Sequence, residues 1–333
     1  MKKKLKVLIV LFVAMMILVG CSSQDNSSDG QDSTEYEHFV GFSANTFSDN
    51  WMVTTSEELE ELCTNAGYRY TALGAEGVAA TQVSQIENMV TMGCDYLVVS
   101  PVDPDALHDV LKDASSKGVK IVMTGHQYDD DEPFVISVSG DQREFGASAA
   151  KAAAAWIDET FPDAEDGSVE VALFINSTYE TFVERADGMA DVEKLTSKAK
   201  IVETYDLIGQ ADANTKVQEY TDQLLMSHPN IKVIVSHSSD YGNAIDEVIM
   251  RTAGLDTDNM GIFSCDWLVA TADSLKASSE GKSVIRAFID SGNYTKDLFN
   301  ALTGELATDE NGIAWINFYT WTVDNVDEAY AIH

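Results

Sequence analysis

A chain of 333 residues, 45% apolar and 23% charged, is too long for one small core and about right for two lobes of ordinary domain size. Its 55 acidic residues against 21 basic ones give a formal net charge of −34. That balance argues against nucleic acid and anionic lipid headgroups as partners and for a solvated extracellular surface.

Lys2, Lys3, Lys4 and Lys6 precede an apolar run from Val7 to Val19, followed by Gly20 and Cys21. A run this short is the apolar region of a secretory signal rather than a membrane span. Leu18-Val19-Gly20-Cys21 resembles the lipobox of bacterial lipoproteins, which implies a signal peptide over 1–20, cleavage before Cys21 and a lipid on that residue. Residues 21–37, rich in Ser, Asp, Asn and Gly without apolar periodicity, read as a flexible tether. The folded part begins near His38, outside the cytoplasm. Cys63, Cys94 and Cys265 lack CxxC or His-rich spacing and read as buried, unreactive thiols, with a disulfide as the alternative.

Strands are expected at His38–Ser43, Tyr68–Leu73, Tyr96–Ser100, Val119–Thr124 and Phe134–Ser139. Helices are expected between them at Trp51–Ala66, at Ala79–Met92 with Val83, Ile86, Met89 and Val90 on one face, and at Asp105–Ser116. The order then begins again with helix Arg143–Thr160, whose Gly146 and row of alanines suit close packing. Strand Val169–Ile175, helix Thr181–Thr196, strand Ile201–Tyr205, helix Ala211–His228, strand Val233–Ser236, helix Asn243–Thr252 and strand Gly261–Cys265 complete the second set. Continuous apolar strands separated by helices indicate βαβ units and parallel sheets covered on both faces. The fold class is α/β, with two Rossmann-like lobes.

In open α/β sheets ligands bind beyond the carboxyl ends of the strands, and the strand Tyr96–Ser100 runs straight into Pro101, Asp103 and Asp105. Asp105, just before Ala106-Leu107, reads as a helix cap. That leaves Asp103 as the ligand contact, a carboxylate able to accept hydrogen bonds from adjacent hydroxyls of the kind a sugar offers. Enzyme motifs are missing: there is no GxSxG or HExxH, and Lys276 stands where a nucleotide loop ending in Gly281-Lys282-Ser283 needs glycine.

The segments VGFSANTFSDNWMV, VVSPVDPDAL, Ser139-Gly140-Asp141-Gln142, Glu184-Arg185-Ala186-Asp187-Gly188, Phe263-Ser264-Cys265-Asp266 and TVDNVDEAY follow one another in a specific order. In that order the chain from His38 to His333 resembles the type I periplasmic binding proteins of ABC importers, in particular the ribose-like sugar-binding group. The resemblance implies one lobe from 38–139 plus 290–318 and another from 140–289 plus 319–333. Three hinge crossings near Ser139, Asp290 and Tyr319 join them around a ligand cleft.

The resemblance also implies roles for single residues. Trp51 lies against the sugar face, or else in the core of its helix, with Asp49 and Asn50 as hydrogen-bonding neighbours. Arg185 grips ring or hydroxyl oxygens, or else forms a surface salt bridge, and Asp266 is a second acceptor carboxylate. Gly125-His126 departs from the Asp-Arg common in ribose-type proteins, and Ser238-Ser239 from their Asn-Asp. His126 is therefore either a polar contact or a loop residue, Ser238 is a candidate of the distal lobe, and Asp290 is the polar candidate at the hinge. The implied protein is a monomeric, cofactor-free sugar carrier that serves an ABC permease from the membrane surface. The alternatives are a sensory module serving a membrane receptor and, using Asp103 and Asp266, a glycoside-processing enzyme.

Overall fold

A computed structural model describes residues 36–48, 50–130, 133–210 and 212–333, without the side chain of Asn50. Residues 1–35, which hold the expected signal peptide, Cys21 and most of the expected tether, and Asp49 lie outside the described residues.

The first strands are β1 (Phe39–Ala44), β2 (Arg69–Gly74), β3 (Tyr96–Val99), β4 (Lys120–Thr124), β5 (Ile136–Ser139) and β6 (Val169–Ile175). They are followed by β7 (Ala199–Asp206), β8 (Val233–Ser236), β9 (Gly261–Cys265), β10 (Ile285–Asp290), β11 (Ile313–Trp315) and β12 (Tyr319–Thr322). The helices are α1 (Asn50–Asn65), α2 (Ala79–Thr91), α3 (Pro104–Ser116), α4 (Gln142–Thr160), α5 (Glu180–Met189) and α6 (Val192–Leu195). Then come α7 (Ala213–Ser227), α8 (Ser239–Arg251), α9 (Val269–Ser278), α10 (Tyr294–Thr303) and α11 (Val326–Ile332).

Two six-stranded sheets result, in the orders β11-β5-β4-β3-β1-β2 and β12-β10-β9-β8-β6-β7. The first is parallel throughout, and the second has one antiparallel edge strand, β12 on β10. The chain passes from the first sheet to the second after β5, returns after β10, and crosses again between β11 and β12. Alternate strand residues feed opposite faces. Leu97 and Val99 of β3 join Ile86, Leu107 and Leu111 on one face, while Val98 joins Phe42, Leu59 and Leu298 on the other. Because both faces are covered, every position of such a strand is apolar, which is why these strands read as continuous runs. Each buried side chain of this size contributes about 2 kcal/mol.

Several elements differ from the sequence expectation. The helix expected over Thr181–Thr196 breaks into α5 and α6, and at the break the Asp191 carboxylate is held by Arg143 Nη2 and Lys194 Nζ, both at 2.6 Å. Helix α8 begins four residues before the expected Asn243, because the Ser238 hydroxyl caps it by accepting from Tyr241 N at 3.4 Å. The capping carboxylate of α3 is Asp103 rather than Asp105: its Oδ1 accepts from Asp105 N and Ala106 N, and Pro104 fills the first helical position. Cys63, Cys94 and Cys265 are unpaired and buried, and burial pushes each thiol up to about 12.

Helices α4 and α5 touch backbone to backbone. A Cβ added at Gly146 would stand 1.9 Å from Arg185 O, and one at Gly188 would stand 2.1 Å from Arg143 O. Only glycine permits this crossing, and the crossing sets the height from which Arg185 projects. Gly146→Ala and Gly188→Ala are therefore expected to force the helices apart at a cost of roughly 1–3 kcal/mol each. Urea denaturation midpoints unchanged from the parent in both variants would show that no such contact exists.

Candidate functional site

A cleft of about 690 Å³ opens between the two sheets. Gly125, Ser139, Asn176, His237, Asp266 and Ser291 line it, each within one residue of the carboxyl end of β4, β5, β6, β8, β9 or β10. This is the position that open parallel sheets reserve for ligands.

Arg185 is the organising side chain of the wall formed by the second sheet. It is only 6% exposed and carries four hydrogen bonds. Nε and Nη2 donate to Gln142 Oε1 at 2.9 and 2.7 Å, while Nη1 donates to the His237 carbonyl and to Asp266 Oδ2, both at 3.0 Å. A guanidinium has five N–H donors, so one remains. Its plane lies over the Phe145 ring at 4.5 Å, with Phe182 at 5.5 Å, and Phe145 in turn stacks on Phe318 at 4.4 Å. Arg185 does pair with Asp266, but at the cleft wall and buried rather than as a surface salt bridge.

Asp266 is held in a conformation that side chains rarely adopt, with φ of +73°. Ser239 Oγ donates to its carbonyl oxygen at 2.6 Å and fixes it there. Its carboxylate faces the cleft, with 45% of the side chain accessible. The protein walls around it still desolvate it and push its pKa above the ordinary carboxylate range, against the pull of Arg185. Backbone strain of this kind, locked by a hydrogen bond, is characteristic of ligand clamps.

Trp51 also lines the cleft, 47% exposed, with its ring centroid 5.7 Å from that of Tyr294. An indole this open is not a core residue. Ser238 lies in the lining beside His237. Asn50 opens α1, and Asp49 before it is not described.

Three expected contacts are outside the lining of this cleft, and one of them, Asp290, lines the space next to it. Asp103 is exposed at the end of β3, caps α3 and is outside the cleft lining. His126 packs edge-on against Tyr128 at 4.9 Å and is likewise outside the lining, as a loop residue. Asp290, 1% exposed, spends its carboxylate on the hinge: Oδ1 accepts from Gly292 N at 2.8 Å, and Oδ2 accepts from Trp321 Nε1 at 2.8 Å and pairs with His333 Nε2 at 2.9 Å. Three of its roughly four acceptor positions are taken.

Asn176, His237, Ser291, Gln142, Phe182, Tyr294 and Phe318 also line the cleft and are not among the residues expected from the sequence. The first three sit directly after strands, so the rule that singled out Asp103 and Asp266 would have found them had it been applied to every strand. The others belong to helices and the last crossing, and nothing local marks them.

A family model described as a periplasmic binding protein domain matches residues 40–302. The ribose import binding protein RbsB of Bacillus subtilis is 22% identical over 244 residues, 72% of this chain and 74% of that protein. A periplasmic solute-binding protein of an ABC transporter from Actinobacillus succinogenes, solved with D-allose, superimposes with a TM-score of 0.66 at 15% identity, covering 88% of this chain and 100% of that one. The fructose-binding periplasmic domain of a hybrid two-component system superimposes with a TM-score of 0.60 at 17% identity, covering 87% of this chain and 92% of that one.

His237 supplies a test of the cleft wall. Burial, with the Arg185 charge beside it, lowers its pKa to about 3, so the ring is neutral in the folded chain. Unfolded, it takes up a proton near pH 6.5. Between these values the unfolded chain binds more protons, and this residue must subtract stability as the pH falls, by up to about 1.4 kcal/mol per pH unit. Denaturation of His237→Gln beside the parent at pH 7, 5.5 and 4.5 should show a shallower acid limb in the variant. Parallel limbs would place the imidazole in water.

Proposed function

Because this chain belongs to the periplasmic binding protein family, we propose that it is an extracytoplasmic carrier that closes its lobes on a small sugar or sugar-like polyol and delivers it to an ABC permease. The reading rests above all on Arg185 and Asp266, a donor fork and an acceptor carboxylate held side by side at a cleft wall and flanked by aromatic rings. A sugar needs that combination: its hydroxyls pair with a carboxylate and a guanidinium, and its C–H faces pack on rings such as Trp51 and Phe182. Ser238 adds a polar contact from the cleft lining, and Asp49 and Asn50 are kept as further candidate contacts.

The lobes, 38–139 with 290–318 and 140–289 with 319–333, close as rigid bodies about the three crossings, excluding water and engaging the ligand from both sides. Ligand capture asks for no proton transfer, and the protein acts as a monomeric carrier rather than an enzyme. A lipid on Cys21 tethers it to the membrane. One acyl chain gives only marginal binding, so more than one is attached. A second reading, presentation of the ligand to a membrane receptor, draws on the likeness to the two-component sensor domain.

Thermal unfolding against pentoses, hexoses, disaccharides, polyols and nucleosides should show a raised midpoint with one saccharide, since a ligand that binds only the native state stabilises it. Arg185→Lys, which keeps the charge but loses the fork, should weaken that ligand by about tenfold or more in calorimetric titration. Absence of a shift with every saccharide, or full affinity in Arg185→Lys and Asp266→Asn together, contradicts the assignment. Cys21→Ser should move the protein from the membrane fraction to the soluble one, and continued sedimentation with membranes would refute the lipid anchor.

A further inference from the structure

The interlobe space does not end at the cleft described above. A second compartment of about 270 Å³ adjoins it, and the two share Trp51, Tyr294, Asp266 and Ser291 in their linings. Beyond that boundary the second compartment is walled by Thr54 and Glu58 of α1, by Trp267 and His333, and by Asn293 at the start of α10. Resting on the function proposed above, we infer that the cleft holds two saccharide subsites, and that the preferred ligand is a disaccharide or glycoside rather than a free monosaccharide. One ring lies on each side of the Trp51–Tyr294 pair.

Size is the first argument. Pockets for small ligands run to roughly 300–1,000 Å³. The main cleft alone, at about 690 Å³, sits in the middle of that range, and the adjoining space adds to it across the shared residues. The second argument is composition. The added compartment repeats the features of the main one on a smaller scale: an aromatic wall, hydroxyl and amide groups, and a carboxylate. Its aromatic wall is the Trp267 indole, fixed by parallel stacking on His333 at 4.3 Å and 7°. Glu58 and Thr54 bring an acceptor carboxylate and a hydroxyl suited to ring hydroxyls, while the Asn293 amide caps α10.

The third argument is mechanical. In a hinge rotation the displacement of a wall grows with its distance from the axis, so space beside the crossings changes least when the lobes close. The second compartment lies against the crossing Asp290–Thr295, and that crossing is braced. Asp290 holds Gly292 N, Trp321 Nε1 and His333 Nε2 at 2.8, 2.8 and 2.9 Å. The main cleft meets the crossings as well, at Gly140, Ser291 and Phe318, so both compartments keep a fixed wall there when the lobes close.

Calorimetric titration of the full chain with matched pairs tests this: each monosaccharide that shifts the melting midpoint, beside its disaccharides and its methyl and phenyl glycosides. The expected result is at least about tenfold tighter binding of one two-ring partner than of the free sugar. Thr54→Trp, which fills the compartment from an exposed helix position, and Glu58→Leu, which removes an acceptor without filling it, should each reduce that ratio. Melting midpoints of both variants in buffer report whether they fold. A monosaccharide bound as tightly as every two-ring partner, with a ratio unmoved by either variant, overturns the second subsite and leaves the carrier reading intact. Binding of no saccharide of either size overturns both.

Discussion

The site depends on keeping one guanidinium out of water. A buried arginine is tolerated only when its charge and its N–H groups are answered, because desolvating the ion costs several kcal/mol that pairing must offset. Arg185 is answered by elements from distant parts of the chain: Gln142 in the first turn of α4, the carbonyl that ends β8, the carboxylate that ends β9, and the rings of Phe145 and Phe182. Gly146 and Gly188 let α5 descend onto α4 far enough for the side chain to reach all of them. The packing of two helices thus sets the electrostatics of the cleft wall.

Asp266 shows the same economy from the other side. Its left-handed backbone turns the carboxylate toward both the cleft and Arg185, and the Ser239 hydroxyl from the start of α8 secures it. A ligand that hydrogen-bonds this pair meets groups already oriented, so little ordering remains to be done on binding. The opposite wall is built differently, with the rings of Trp51 and Tyr294 in place of a fixed ion pair. One wall sets direction and the other offers surface.

The hinge has its own anchor. Asp290 ends β10 at the point where the chain leaves the second sheet, and it ties Gly292, Trp321 of the antiparallel edge strand and His333 into one cluster. Strands β10 and β12 and the end of the chain therefore meet at the crossings. A carboxylate at a strand's end faces the cleft in one place, Asp266, and braces the crossing in another, Asp290. In both cases the aspartate comes straight after apolar strand residues, and the partners decide its role.

The alternation of apolar strands and helices, the parallel sheets and the α/β class were legible in the sequence, because a strand buried on both faces must be apolar at every position. Arg185 and Asp266 were legible through the resemblance, and Asp266 also through its place after a strand. Tertiary structure alone decided which carboxylate does what. Asp103 and Asp290 follow strands just as Asp266 does, but Asp103 answers the open N–H groups of α3 and Asp290 answers an indole and an imidazole far along the chain. His237, Phe182 and Tyr294 reached the cleft by the same route. A side chain's partners are set by contacts between segments far apart in sequence, and no local pattern of residues encodes them.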